Sequence, residues 1–324
     1  MQLIVLGLNH KTAPVEIRER FNFSQDRTVR VLRRLRNNDN LNEAVLLSTC
    51  NRTELYMVLE DPAAGLHFIR TLLRHLAGEQ YKPDYFYNLT GINCVRHLFK
   101  VASSLDSLII GEGQILSQIK NAYHLSRSCG MTDTLFNTLF NRAIAVGKRV
   151  RTETKIAYSS VSVSSAAVDL AIDVVGDLTK ANILVLGAGR MSELTARHLI
   201  DKGAKTIFVS NRNLSHAQEL AEKFNGTAIP YNEFMHQAIT SDIIITSTGA
   251  PHYVITEQGV RDIIPKRSGK PLILVDIAVP RDVDPLVGDI EGVTLYNIDD
   301  LEGVVDMNKN FRSSEAKVAE AIID

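Results

Sequence analysis

The chain has 324 residues, 45% of them hydrophobic, with 36 Lys+Arg against 37 Asp+Glu and no tryptophan. This is globular composition with room for two or three domains, and no run approaches the roughly 18 uninterrupted apolar residues of a membrane span. Charge is unevenly placed: residues 1–155 carry 21 Lys+Arg against 14 Asp+Glu, and the remainder carries 15 against 23. A basic N-terminal half is compatible with a polyanionic partner there, or is incidental. The three cysteines, Cys50, Cys94 and Cys129, match neither a disulfide framework nor a CxxC metal pattern. A reducing cytoplasm is therefore the expected setting, with no metal site.

In chain order, "LIVLGL" (3–8) reads as a first strand, not a signal peptide, because no basic region precedes it. "SQDRTVRVLRRLRN" (24–37) opens on Ser24, a good N-cap, and repeats Val29, Leu32 and Leu35 at three/four spacing. Strands follow at 43–49 and 54–60, then an amphipathic helix at 65–78 ending on a glycine, then a strand at 85–91. The order β-α-β-β-α-β is that of the split βαβ, ferredoxin-like fold. Three helical stretches come next. The last, "TLFNTLFNRAIAVGKRVRTET", keeps its apolar spacing through Gly147 and reads as a long connecting helix.

A second unit begins near residue 160. Serines within 159–165 lead into the helix "AAVDLAIDVV", and "ANILVLGAGRMSELTARHLIDKGAKTIFVSNRN" reads as strand, glycine turn, helix, strand. Alternation continues with helices at 214–224, 231–238 and 256–264 and strands at 227–229, 242–248, 271–278 and 293–298. Apolar runs alternating with amphipathic helices predict a parallel sheet covered on both faces, an α/β Rossmann-type domain. The tail from 301 starts a charged helix and has no stop signal, so the chain is expected to be C-terminally truncated. The predicted domains are 1–155, 156–300 and a terminal segment 301–324, with hinges near 150–160 and 300.

Gly187 and Gly189 in "ILVLGAGRMS" follow a strand and open a helix, the setting a dinucleotide loop requires. The third position is Ser192, small enough for close helix–strand packing. Residues Gly187, Ala188, Gly189, Arg190, Met191 and Ser192 form the candidate phosphate loop. The next strand ends in Ser210, Asn211 and Arg212 where an NAD site usually carries an acid. A guanidinium there can pair with a 2′-phosphate, which predicts NADPH; a solvated arginine on a turn is the alternative.

Cys50 in "LLSTCNRTELY" (46–56) sits between two strands. It is either a small apolar plug or a nucleophile. Polar neighbours Ser48, Thr49, Asn51, Arg52 and Thr53 do not suit a plug. A thiolate needs positive charge nearby, which Arg52 can supply, with Glu54 to orient it. A nucleophilic thiol combined with a nicotinamide domain suggests acyl transfer to sulfur, followed by hydride reduction of the thioester.

"LGLNHKTAPVEIRE", "LSTCNRTELY", "VASSLDSLIIGEGQILSQIK", "RVRTET", "VLGAGRMSELTARHL" and "VDIAVPRDVDP" together resemble glutamyl-tRNA reductase from residue 3 to about 305. The resemblance implies an NADPH-dependent enzyme that reduces glutamyl-tRNA(Glu) to glutamate-1-semialdehyde, the first step of the five-carbon route to 5-aminolevulinate and tetrapyrroles. It makes Cys50 the nucleophile, and Thr49, Asn51 and Arg52 the substrate-binding turn, with Arg52 clamping the glutamate carboxylate. His97 matches a histidine important for activity, though a mid-helix histidine beside Leu98 and Phe99 is by itself more often a core residue. Ser107, Glu112, Gly113, Gln114 and Gln118 match positions lining the glutamate pocket. The resemblance further implies a homodimer for the full-length protein, with 301–324 the start of its C-terminal helical dimerisation domain, and the downstream glutamate-1-semialdehyde aminomutase as a partner. Cys94 and Cys129 are expected to be buried bystanders. Two rival readings are a shikimate-type NADP dehydrogenase, which does not need Cys50, and a non-catalytic nucleotide- or tRNA-binding regulator.

Overall fold

A computed structural model describes residues 1–77, 82–154, 156, 162–301 and 309–324. Contacts divide the chain into two units, residues 1–160 with 308–324, and residues 161–307. The predicted hinge segments lie largely outside the described residues. No helix among the described residues is long and apolar enough to cross a membrane.

The first unit is built on strands β1 (Gln2–Asn9), β2 (Leu41–Ser48), β3 (Arg52–Leu59) and β4 (Tyr87–Thr90). They pair antiparallel in the order β2-β3-β1-β4. This is the sheet of the split βαβ fold. Side chains alternate across it. Ile4, Leu6, Leu8, Leu55 and Met57 point into one core, beneath α2 (Gln25–Leu35) and α3 (Pro62–Ala77). Val5, Val45, Tyr56 and Val58 point into the other, beneath α4 (Gly91–Ala102), α5 (Gln114–Ser128) and α6 (Thr134–Glu153). A short helix α1 (Val15–Arg18) follows β1. Because both faces are covered, β3 is buried along its whole length, and charged residues on it must find partners inside the protein.

Local rules explain where the elements start. Ser24 caps α2 by accepting from Arg27 N–H at 3.4 Å. The first turn of α6 is capped from a distance: the buried Glu43 carboxylate on β2 accepts from the N–H groups of Asp133, Leu135 and Phe136 at 2.6, 3.2 and 2.9 Å. That places a negative charge at a helix N-terminus and anchors the connecting helix to the sheet. Gly147 lies where α6 crosses α4; a Cβ there would stand 2.5 Å from the Ala102 carbonyl oxygen. The glycine is a close-approach site and not a helix break.

The second unit has a six-stranded parallel sheet in the order β10-β9-β8-β5-β6-β7. Its strands are β5 (Asn182–Leu186), β6 (Thr206–Ser210), β7 (Thr227–Ile229), β8 (Ile243–Thr246), β9 (Leu272–Asp276) and β10 (Val293–Asn297). Helices α7 (Val163–Val175), α8 (Arg190–Asp201), α9 (Leu214–Lys223), α10 (Phe234–Ala238) and α11 (Glu257–Ile263) cover it. The 231–238 segment predicted as one helix begins as a 3₁₀ turn, Tyr231–Glu233, before α10. Ser162 and Ser165 form a reciprocal capping box at the start of α7. The terminal helix α12 (Lys309–Ile323) belongs to the first unit and packs on α4 and α6. Ala319 is buried with Val150, and Glu320 and Asp324 pair with Lys100 and Arg96 at 2.8 and 2.7 Å.

Gly147→Ala should destabilise the first unit by about 1–3 kcal/mol, since backbone rather than a flexible side chain must yield. The check is a lower urea midpoint at unchanged m-value.

Candidate active site and cofactor pocket

Cys50 lies in the turn joining β2 to β3 and is half-buried. Thr49 shapes this turn: its hydroxyl accepts from the N–H groups of Asn51 and Arg52 at 3.2 and 3.1 Å, and its own N–H donates to Arg52 C=O at 2.8 Å. Neighbouring segments hold the turn from outside. His10 N–H donates to Asn51 C=O at 3.0 Å, and Arg18 Nε to Cys50 C=O at 3.4 Å. Two buried polar atoms here have no partner, His10 Nδ1 and Asn51 Oδ1. Such orphans carry a desolvation cost that a polar ligand can relieve.

Arg52 behaves differently from its sequence expectation as the charge beside the thiol. Its guanidinium turns inward, onto Glu54 Oε1 at 2.6 Å and Asp106 Oδ2 at 3.0 Å, and also donates to Asp106 C=O. The side chain is 1% exposed. The cation acting on Cys50 is Arg18, and it is outweighed. Burial, with Glu112 adding to it, pushes the thiol up to about 12. In the free chain at neutral pH the thiol is therefore protonated. Glu112 is itself pushed up to about 7 by burial.

Glu54 is the hub of a buried network. Tyr56 Oη donates to its Oε2 at 2.6 Å, Tyr87 Oη donates to Oε1, and His97 Nε2 lies 2.8 Å from Oε1. Burial opposes ionisation of Glu54, yet Arg52, His97 and the Tyr56 hydroxyl together hold it well below the usual carboxylate range. The His97 ring packs edge-on to Tyr87, with centroids 5.4 Å apart. His97 is thus fixed by Glu54 rather than by the thiol. Asp106 closes the network toward solvent, bonding Lys11 Nζ at 2.5 Å.

The remaining predicted residues sit on or after the loop that leaves α4. Ser104 holds it shut, donating to Glu112 C=O at 2.6 Å. Ser107 follows Asp106 and is half-buried. Gly113 seats the Arg151 guanidinium, whose nearest nitrogen would lie 3.0 Å from a Cβ there; Arg151 Nη1 is buried without a partner. Gln114 opens α5, and Gln118 lies one turn on, lining a groove with Ser48. Of the bystanders, Cys94 is fully buried, whereas Cys129 is half-buried as the C-cap of α5.

In the second unit the glycine loop lies at the carboxyl ends of β5, β6 and β8. Gly187 has φ +114, and a Cβ there would meet Ser192 Oγ at 2.8 Å and Ser247 C=O at 2.9 Å. Gly189 has open space where its Cβ would stand, which suits backbone approach by a phosphate. Ser192 is buried and hydrogen-bonds Ser247 across 2.7 Å, so serine at this position ties α8 to the end of β8. Ala188 and Met191 are half-buried, and Arg190 is exposed at the helix start. A pocket of about 210 Å³ is lined by Gly187, Ser210, Asn211, Arg212, Thr248 and Pro251, among others. Ser210 is 1% exposed, and its hydroxyl has no partner. Arg212 is exposed. The glycine cradle, the orphaned hydroxyl and the exposed guanidinium fit a dinucleotide.

Sequence reasoning missed several residues here. Asp282 holds the pocket's far wall, accepting from Thr248 N–H at 2.7 Å and from the Thr248 hydroxyl. Asp276 in turn accepts from the N–H groups of Asp282 and Val283 at 2.8 and 2.9 Å and from Thr246 Oγ1 at 2.8 Å. In the first unit the missed residues are Asp106, Tyr56, Tyr87 and Arg18. The alternation of Arg52, Glu54 and Tyr56 on one strand face was an available signal for the buried network.

A turn-held thiol on one unit and a glycine-loop pocket at a parallel sheet on the other define an α/β oxidoreductase with a nicotinamide-nucleotide domain. Residues 6–154 match the glutamyl-tRNAGlu reductase N-terminal domain, and residues 169–304 match shikimate / quinate 5-dehydrogenase. The chain is 46% identical over 326 residues to the glutamyl-tRNA reductase of Trichlorobacter lovleyi, covering 100% of this chain and 75% of that one. It is 45% identical over 327 residues to that of Geobacter sulfurreducens, with the same coverage. Among solved structures, the glutamyl-tRNA reductase from Methanopyrus kandleri matches with a TM-score of 0.50 and 36% identity, over 99% of this chain and 77% of that one. The chain belongs to the glutamyl-tRNA reductase family.

Glu54→Gln should cost roughly 3 kcal/mol, because it keeps the shape but leaves Arg52 buried with less compensation. In the parent protein, ionised Glu54 stabilises the fold above the ordinary carboxylate range, and that contribution is lost as pH falls through its depressed value. Guanidinium unfolding from about pH 4 to pH 7 should therefore find the parent still protected at the acid end and the variant weakened throughout.

Proposed function

We propose that the chain reduces the glutamyl group of glutamyl-tRNA(Glu) to glutamate-1-semialdehyde with NADPH, by way of a thioester on Cys50. Residues 1–155 act as the acyl-transfer domain and residues 156–300 as the cofactor domain. The observation that carries this reading is the Cys50 turn, where a half-buried thiol is ringed by Glu112, Arg18 and the unpartnered His10 Nδ1 and Asn51 Oδ1. A structural plug needs no such surroundings.

The Cys50 sulfur attacks the acyl carbon, the bond to the ribose 3′-oxygen breaks, and the thiol proton ends on that oxygen. Glu112, poised near neutrality, accepts the proton from sulfur and returns it to the leaving oxygen. Asn51 and neutral His10, whose imidazole burial and the nearby Arg52 push down to about 4, face the substrate's polar atoms. Arg52 reaches the substrate carboxylate only by exchanging Asp106 for it, with Lys11 retaining the displaced aspartate. His97, braced by Glu54, orients the site from α4. NADPH, when bound, supplies the hydride that reduces the thioester carbon. Ser210 and Arg212 would hold its 2′-phosphate, which favours it over NADH.

The shikimate-type reading has one observation in its favour, the match of residues 169–304, and it makes Cys50 dispensable. Cys50→Ser should abolish semialdehyde formation, and the parent incubated with glutamyl-tRNA without NADPH should carry a glutamyl adduct on Cys50 by mass spectrometry. Full activity in the variant would sink the thioester route. The rate in the parent should fall as pH drops below about 7, where Glu112 takes up its proton. Glu112→Gln should flatten that limb at a rate lower by about 10²-fold, read from kcat/KM against pH.

A further inference from the structure

The catalytic turn accounts for the acyl group but not for the polynucleotide attached to it. Starting at Ser48, two residues before Cys50, a groove of about 630 Å³ runs between α2 and α5 over β2. The two helices run the same way along it. Gln25 and Gln118 lie at the end near Ser48, where Phe23 N–H donates to Ser48 Oγ at 2.9 Å. At the other end Ser128 lines the groove, and Arg36 reaches over Gly130, its guanidinium 3.6 Å from where a Cβ would stand. From Gln25 to Arg36 the helix rise gives about 16 Å, the span of a few nucleotides.

The electrostatics are one-sided. No acidic residue lines the groove, and none occurs in α5. α2 with its C-cap carries Arg27, Arg30, Arg33, Arg34 and Arg36 against the single acid Asp26. Arg30, Arg33 and Arg36 recur every third residue, so they form one diagonal row, and all three are exposed. Among the described residues Arg30, Arg33 and Arg36 have no acidic partner, and such arginines keep their full field for a polyanion. The lining mixes hydroxyl and amide groups with the Phe23 and His124 rings, the chemistry that meets unstacked bases.

We propose that this groove takes the single-stranded 3′ end of an RNA, with Arg33 and Arg36 on its phosphates, and delivers the terminal ribose toward Cys50. The proposal rests on the activity proposed above. It names a surface that the acyl chemistry does not require.

The test uses a fluorescein-labelled RNA hairpin with a short single-stranded 3′ tail, its blunt counterpart, and the whole chain. The parent should bind the tailed hairpin about tenfold more tightly than the blunt one. Arg33→Glu with Arg36→Glu should weaken binding by about tenfold or more and lower the slope of log Kd against log salt by about 1.4. The milder pair Arg33→Gln and Arg36→Gln should follow in the same direction, which guards against misfolding of the first variant. Lys266→Glu with Lys270→Glu, a charge-matched change on the second unit, should stay within about twofold. Binding unchanged in both arginine pairs, equal binding of the blunt hairpin, or equal displacement by a polyglutamate peptide would each overturn the groove assignment. Reduction of glutamyl-tRNA is scored separately. Arginine-dependent binding without reduction removes the activity and leaves the groove; reduction with arginine-independent binding removes the groove alone.

Discussion

The first unit depends on a buried ion pair, Arg52 with Glu54, on a strand that has no solvent-facing side. A charge on such a strand is tolerated only when paired and hydrogen-bonded, because desolvation costs several kcal/mol per ion. The sequence meets that demand by spending neighbouring polar groups on the pair. Tyr56 comes from the same strand, Tyr87 from β4, His97 from α4 and Asp106 from the loop beyond it. Each partner belongs to a different element, so satisfying the pair fixes the relative positions of those elements. The turn that carries Cys50 ends at Arg52, and its geometry is inherited from this network. Removing one member strands the others, which couples the stability of the unit to the shape of its site.

A second pair of carboxylates does comparable work in the other unit. Asp276 ends β9 and gathers the N–H groups of the following loop, while Asp282 from that loop reaches back to Thr248 after β8. Burial pushes both carboxyls up, Asp276 to about 7, against the donors aimed at them. The result is a rigid rim beside the cofactor pocket, made from loops that would otherwise be loosely held. Both units thus place buried carboxylates where a strand gives way to a functional turn. They differ in the counter-charge: a guanidinium in the first, backbone N–H groups and threonine hydroxyls in the second.

The split βαβ order and the parallel sheet were legible because both show as short apolar runs, such as those of β1, β5, β8 and β9, separated by helical patterns. The glycine loop was legible because Gly187 must adopt a positive φ that side chains resist. What could not be read was which way a polar side chain turns. Arg52 sits two residues from Cys50 in sequence, and proximity suggested that its charge lowers the thiol. Strand alternation instead sends it into the core with Glu54 and Tyr56, and the cation left near the thiol is Arg18, distant in sequence. The same limit hid Asp106 and Asp282, whose partners come from 54 and 34 residues away. The end of the chain illustrates a further limit. A charged helix pattern announces α12, but nothing in it reveals that Ala319 is buried against Val150.

The protonated state of Cys50 bears on why the turn is built this way. A thiol lowered toward neutrality would react with any electrophile that reached it. Burial and Glu112 hold Cys50 near 12, so at neutral pH the thiol stays protonated and would need a proton acceptor before it could act as a nucleophile. Arg18 acts in the opposite direction but is outweighed, and its guanidinium also donates to Cys50 C=O and Ala13 C=O. A polar ligand that met Asn51 Oδ1 and His10 Nδ1 would relieve their desolvation cost, and one that reached the Arg52 guanidinium would have to take the place of Asp106. The pocket's orphaned polar atoms and its over-satisfied arginine are two sides of one constraint. The first carry a desolvation cost that a ligand's polar groups would relieve, and the second already has carboxylate partners with which such a ligand would compete.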